Sequence, residues 1–300
     1  MHCKILTGAL FLVFLAYGQT ASLFDKSGRL SQVELALKAS SSGGSVLGAL
    51  GRDVVVVVSW APAQEAPSEH IRASPRCVEL CATMGFCSAG VGADASHLCD
   101  KLFDDVCNHD YMYGSAPSVW RLAKNLASYV HESTLSLRHR PFGVRCLVLG
   151  TEHRAPTPLA SSPASASASA SASATPKLAP CLYEIDPLGN LYKCTLSGVG
   201  PYAEQLLEQW PGGVNPTSLD AADLTQTCLR VLEKTLEKEG YSLRAHNQRA
   251  RLEVMVAGPG VSRTGQLSPA KLARFFERQE GKKGAPRPYE YIEAALQELI

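Results

Sequence analysis

The run SVLGALGRDVVVVVS, residues 45–59, decides how this chain is read. Two short apolar stretches, 45–50 and 54–58, are parted by Gly51, Arg52 and Asp53, which supply a hairpin turn. Residues 54–58 are five consecutive valines, and an unbroken β-branched run predicts a strand buried on both faces. Upstream, Leu30, Val33, Leu35, Leu37 and the alanines at 36 and 39 make a short helical pattern. Gly28 stands before it, and loop residues over 40–44 close it. Downstream, a loop with Pro62, Pro67 and Pro75 leads to a third apolar run over 78–87. Gly90 and Gly92 then break the chain before a helix over 93–111. Ser115 ahead of Pro117 announces a second helix, with Val119, Leu122, Ala123, Leu126, Tyr129 and Val130 at helical spacing. Strands are expected over 144–149 and 181–185, then a turn at Asp186-Pro187-Leu188-Gly189 and a returning strand over 191–196. Helices over 201–209 and 219–238, a strand over 252–257 and a helix from Ser268-Pro269 complete the order. Runs of strands alternating with helix pairs predict an α+β chain: two antiparallel sheets with helices packed outside.

The composition is that of a globular protein: 300 residues, 45% hydrophobic and 19% charged. Lys+Arg number 29 against 28 Asp+Glu, and no block of like charge forms a basic arm, which argues against electrostatic grip on nucleic acid. Aromatics at 7% argue against a stacking platform for single strands.

Two segments stand apart from the fold. Residues 1–16 hold Lys4 and then an apolar run, and the polar stretch Tyr17-Gly18-Gln19-Thr20 follows. That pattern is signal-peptide-like, with Ala21 as a possible cut, and it is too short to span a bilayer. The second is a low-complexity insertion over about 152–179, built on Ala-Ser alternation, which can bury no core.

The 10 cysteines are too sparse for a disulfide scaffold, and none forms a Cys-x-x-Cys pair, so reduced structural thiols are expected. Chemistry is otherwise hard to find. No glycine-rich phosphate loop precedes a helix, no Gly-x-Ser-x-Gly elbow occurs, and the histidines fall without a metal-binding pair. Asp100, Asp104 and Asp105 make an acidic helix face that solvation explains as well as catalysis does. No catalytic residue, cofactor site or metal site is therefore expected, and a structural or binding role is.

Residues 24–36, FDKSGRLSQVELA, resemble the signature that opens α-type subunits of the core proteasome, Phe-Ser-Pro-x-Gly-Arg-Leu-x-Gln-Val-Glu-Tyr-Ala. Phe24, Gly28, Arg29, Leu30, Gln32, Val33, Glu34 and Ala36 match without a gap. The likeness continues at Ala89-Gly90 with Ala93-Asp94-Ala95, at Arg140-Pro141-Phe142-Gly143-Val144, at Asp186-Pro187 with Gly189, and at Ser197-Gly198-Val199-Gly200. The Arg140 run and Leu267-Ser268-Pro269 lean towards the second α type. The resemblance spans nearly all of the chain, 17–279 as one α-type domain with an N-terminal helix over about 29–42 and a tail over 280–300.

The resemblance implies a four-layer αββα sandwich of the N-terminal-nucleophile hydrolase type. It implies a non-catalytic ring subunit: seven α-type subunits in a ring, stacked on β-ring subunits and met by a regulatory particle or activators. Its role would be ring assembly and substrate entry in ubiquitin-dependent protein degradation, in cytoplasm and nucleus, with no nucleic acid, no membrane and no cofactor. Ring-interface and gate candidates are Tyr17, Phe24, Gly28, Arg29, Leu30, Gln32, Val33, Glu34 and Leu37. For Leu30, Val33 and Leu37 two readings stand level, burial against a neighbouring subunit and burial in this chain's own core.

A separate physical reason also points away from catalysis. Active relatives use a threonine at a free N-terminus whose own α-amine is the base. Here the corresponding position is near Gly44-Ser45, inside the chain, and Ser59 stands where the active relatives carry a carboxylate after the second strand. Departures from the family pattern at Gly18, Lys26 and Leu35 predict a tail that does not order the gate. Trp60-Ala61-Pro62, in place of a lysine, predicts an activator pocket without its salt bridge. The leader is expected to be a mis-assigned start or an added tail, since cleavage near Ala21 would remove Tyr17. Two other functions remain: a hydrolase processed before Ser45, and a secreted binding protein with disulfides among Cys77, Cys81, Cys87, Cys99 and Cys107.

Overall fold

The structure, a computed structural model, describes residues 24–62, 75–136, 139–153, 178–241, 251–258 and 261–267. Tyr17, the leader, most of the Ala-Ser insertion, the helix expected from Ser268 and the 280–300 tail lie outside the described residues.

Helix α1 (Ser31–Ser40) is followed by β1 (Ser45–Leu50), β2 (Val55–Ala61), β3 (Cys77–Cys81) and β4 (Met84–Gly90). Two long helices come next, α2 (Gly92–Tyr113) and α3 (Val119–Leu135). Then follow β5 (Val144–His153), β6 (Leu178–Ile185), β7 (Leu191–Lys193), β8 (Leu196–Val199) and the short α4 (Ala203–Glu208). Helix α5 (Ala221–Lys238) precedes β9 (Arg251–Gly258) and β10 (Val261–Leu267). The strands form two antiparallel five-stranded sheets, ordered β10-β9-β2-β1-β8 and β3-β4-β5-β6-β7.

The period of two along each strand sorts the core into three clusters. From β1, β2 and Val54 just ahead of β2, Leu47, Ala49, Val54, Val56, Val58 and Trp60 face α4 and α5, meeting Leu206, Leu224, Cys228 and Leu232. From the second sheet, Met84, Phe86, Cys146, Val148 and Tyr183 face α2 and α3, meeting Leu98, Leu102, Leu122 and Leu126. The opposite faces of the two sheets meet each other: Val46, Val55, Val57 and Met255 pack with Cys87, Leu147, Leu149 and Leu182. That explains the valines, because residues 54–58 alternate between two dry faces. Two residues without side chains let the sheets approach. A Cβ at Gly48 would lie 3.1 Å from Leu147 and 3.2 Å from Leu182, and one at Gly85 would run into the Met255 thioether.

Four expectations are corrected. The apolar run over 78–87 is two strands, β3 and β4, turned at Ala82 and Thr83 with no glycine or proline to announce it. The stretch 191–196 is likewise two strands in different sheets, β7 on β6 and β8 on β1, so the chain crosses between sheets at Cys194 and Thr195. The cap of α3 is Ser118, whose hydroxyl accepts from Arg121 N at 3.3 Å, and not Ser115. Strand β10 was not expected at all; it pairs with β9 along Val261–Leu267, a run too mixed to show apolar alternation.

The predicted turn at Asp186 forms with a clear cause. Asp186 Oδ1 accepts from the Leu188 and Asn190 amides at 3.0 and 2.9 Å, and Gly189 takes φ +83°.

Candidate functional site

Gly44 and Ser45, the position that the resemblance matches to a nucleophile, lie at the mouth between the sheets, where β1 begins and β4 ends. Gly44 is buried there, and its space is already taken. A side chain at Gly44 would strike the Trp60 carbonyl and come within 2.9 Å of both the Ala61 Cβ and Arg76 Nε. The Arg76 guanidinium therefore lies across the position from which a hydroxyl would act. Ser45 does carry a hydroxyl, but it is fully buried, and its oxygen accepts from the Tyr202 amide at 3.3 Å. Its nitrogen is a peptide amide following α1 and has no lone pair to serve as a base.

The residues expected after the second strand sit differently from the sequence reading. Ser59 and Trp60 lie inside β2, not after it. Ser59 faces the inter-sheet side beside Glu253, its register partner on β9. Trp60 is 1% exposed in the outer core, its ring 5.0 Å from Tyr241 and 6.2 Å from Tyr202. Only Pro62 of that trio stands beyond the strand. Glu253 is buried and ties the two sheets, accepting from the Arg76 and Cys77 amides at 3.0 and 2.8 Å.

Helix α1 closes this end. It has no side-chain cap at its start, but Glu34 in its first turn and Lys38 in its last suit the helix dipole. Its C-terminal carbonyls are taken by hydroxyls: Ser40 donates to Leu37 O at 2.7 Å and Ser42 to Ala39 O at 2.6 Å. The last turn presses on two glycines. A Cβ at Gly90, where φ is +112°, would lie 3.0 Å from Ser40 Cα, and one at Gly143 would lie 2.9 Å from Ala39 Cβ.

The two motifs Ala93-Asp94-Ala95 and Arg140-Pro141-Phe142-Gly143 meet beneath that contact. Arg140 grips Asp94 with both guanidinium arms, at 2.7 and 2.6 Å, and the Gly143 amide donates to the same carboxylate at 2.9 Å. Burial pushes the Asp94 carboxyl up, but the Arg140 bonds and the Gly143 amide outweigh it and hold the group below the usual carboxylate range. The pair fixes the seat on which α1 rests.

The interface candidates of the N-terminal segment divide by exposure. Val33 is buried within this chain, as is Ala36, while Leu30, Gln32 and Leu37 are half-buried. Gly28, Arg29 and Glu34 are exposed, and the Arg29–Glu34 pair at 4.0 Å is a solvated contact of little energetic weight. Phe24 and Leu35 are 71% and 58% exposed, apolar groups left in water by this chain alone. The nine described cysteines are free thiols.

Sequence reasoning missed Arg76 and Glu253. Arg76 sits just before β3 with nothing around it to mark a site, and Glu253 interrupts an apolar strand. An acidic residue in the middle of a run that must be buried was the one available signal.

Comparison with known proteins fits this geometry. A protein-family model described as a proteasome subunit matches residues 40–175. Proteasome subunit alpha type-2 of Dictyostelium discoideum is 29% identical over 184 residues, 61% of this chain and 68% of that protein. The probable proteasome subunit alpha type-2 of Schizosaccharomyces pombe is 26% identical over 231 residues, 74% of this chain and 81% of its own length. Proteasome subunit alpha 2 of Haloarcula marismortui is 31% identical over 191 residues, covering 64% of this chain and 68% of that one. With a two-sheet core, an N-terminal helix seated at its mouth, and relatives of this kind in archaea and eukaryotes, the chain belongs to the proteasome subunit family.

Proposed function

We propose that the chain is a non-catalytic α-type ring subunit of the core proteasome, one of seven in its ring, stacked on a ring of β subunits. The observation that carries this reading is Gly44: the nucleophile's position has no hydroxyl, no free amine and an arginine lying over it. The helices that cover the outer face of each sheet support a four-layer αββα sandwich of the N-terminal-nucleophile hydrolase type, with residues 17–279 as its domain. The part played would be ring assembly and passage of substrates in ubiquitin-dependent degradation, in cytoplasm and nucleus, with regulatory particles or activators docking on the ring.

Phe24, Gly28, Arg29, Leu30, Gln32, Glu34 and Leu37, with Tyr17 upstream, are the surface offered to the neighbouring subunit and the gate. Exposed Phe24 and Leu35 support this, because obligate interfaces bury such apolar groups. Val33 serves this chain's own packing. The test is native purification of the tagged chain followed by sedimentation. Co-migration with other α-type and β-type subunits in a particle many times the chain's own mass is expected; recovery only as a monomer would contradict the proposal.

A further inference from the structure

We propose that Cys77 and Cys87 are a peroxide-responsive dithiol that closes reversibly into a cross-strand disulfide between β3 and β4. The two residues face each other directly in the antiparallel register. Opposed residues in such a ladder stand about 4.5–5.5 Å apart at Cα, inside the range of about 4.4–6.8 Å that a disulfide spans. Their sulfurs are already 3.0 Å apart, so bond formation needs an approach of about 1 Å and no change of register.

The surroundings favour this pair. Strand β3 is the edge of its sheet, and Cys77 is its first residue, next to half-buried Arg76 and exposed Pro75 at the mouth. A small oxidant reaches Cys77 by a local opening of the strand end, whereas Cys87 lies wholly in the inter-sheet core with Met255 Sδ 3.9 Å from its sulfur. Burial first, and then the contact with Cys77, push the Cys87 thiol well up, and the place of Cys77 at the start of the edge strand makes it the sulfur that meets the oxidant. The Cys77 sulfur attacks one peroxide oxygen, the O–O bond breaks, the thiol proton passes to the departing hydroxide, and a sulfenic acid and water form. The Cys87 sulfur then attacks the Cys77 sulfur, the S–O bond breaks, and a second water leaves. Two thiols and one hydrogen peroxide thus give one disulfide and two waters. A small thiol such as glutathione reverses the step by exchange and is itself oxidised to its disulfide. Closed, the bond staples the edge strand, whose first amide is also held across the sheets by Glu253.

The experiment uses the full chain in its native assembly in cells. Peroxide is titrated until exposed Cys107 is oxidised, thiols are trapped with acid and an alkylating reagent, and the chain is digested after Glu79 and Phe86. These cuts separate Cys77 from Cys81 and from Cys87. The expected result is a Cys77–Cys87 linked peptide that vanishes on reduction and persists in Cys81→Ser. Both cysteines remaining alkylatable once Cys107 is oxidised would overturn the proposal. So would equal yield of the link from chain unfolded in urea, since the fold would then contribute nothing.

Discussion

Asp94 and Arg140 are separated by 46 positions and joined by two charge-assisted bonds, and that pairing is where the two motifs acquire a common purpose. Their worth lies mostly on the buried side: the Asp94 side chain is 7% exposed and that of Arg140 62%. Asp94→Asn keeps an acceptor for the Gly143 amide but removes the charge. It should cost about 1.5–3 kcal/mol at neutral pH, read by denaturant unfolding. The pH dependence follows from the depressed carboxyl. Because the folded pKa lies below the unfolded value of about 3.9, the stabilisation is fully present above that value and is lost as pH falls through the folded one. The gap between wild type and Asp94→Asn should therefore be constant above about pH 5 and shrink below it. A gap that does not change with pH would contradict the assignment. Ser45 gives the opposite kind of test. Its hydroxyl accepts one long bond from Tyr202 N, so Ser45→Ala should cost about 1 kcal/mol and leave peptide hydrolysis by the purified particle unchanged.

At the scale of elements, the seat of α1 depends on two missing side chains. Gly90→Ala puts a Cβ against the Gly143 carbonyl and Ser40 Cα at a φ of +112°, where an L residue is strained. The cheapest relief is to lift α1. Faster proteolysis between residues 24 and 42 in the variant, with loss of incorporation into the particle, is the expected outcome; unchanged cleavage there would show that α1 is held from elsewhere. Helices α2 and α3 and strands β1 and β2 were legible in the sequence because length, periodicity and breakers agreed. The errors have a common cause. The β3–β4 turn at Ala82-Thr83 and the crossing at Cys194-Thr195 use residues with no turn preference of their own, so tertiary pairing alone sets them. Strand β10 is an edge strand of mixed polarity, whose pairing with β9 supplies what its pattern lacks.

For the whole molecule, the contact between the sheets is the least legible part and the most constrained. Periodicity marks a residue as inward but does not say which sheet it meets, so the fit of Met255 into the notch at Gly85 could only be seen in three dimensions. Met255→Ala should open a cavity between the sheets and cost about 2–5 kcal/mol, measured as a lowered unfolding midpoint. The candidate site was half legible. Gly44 and Ser45 are legible because they stand where the apolar run of β1 begins, whereas Arg76 and Glu253 reach the mouth from remote parts of the chain. The central claim is that the bond between Gly44 and Ser45 is never opened and the mouth never becomes an active site. Tryptic digestion of the chain from its native particle, read by mass spectrometry, tests it most directly. Recovery of residues 39–52 as one unbroken peptide is predicted; a peptide beginning at Ser45 with a free amine would contradict the account.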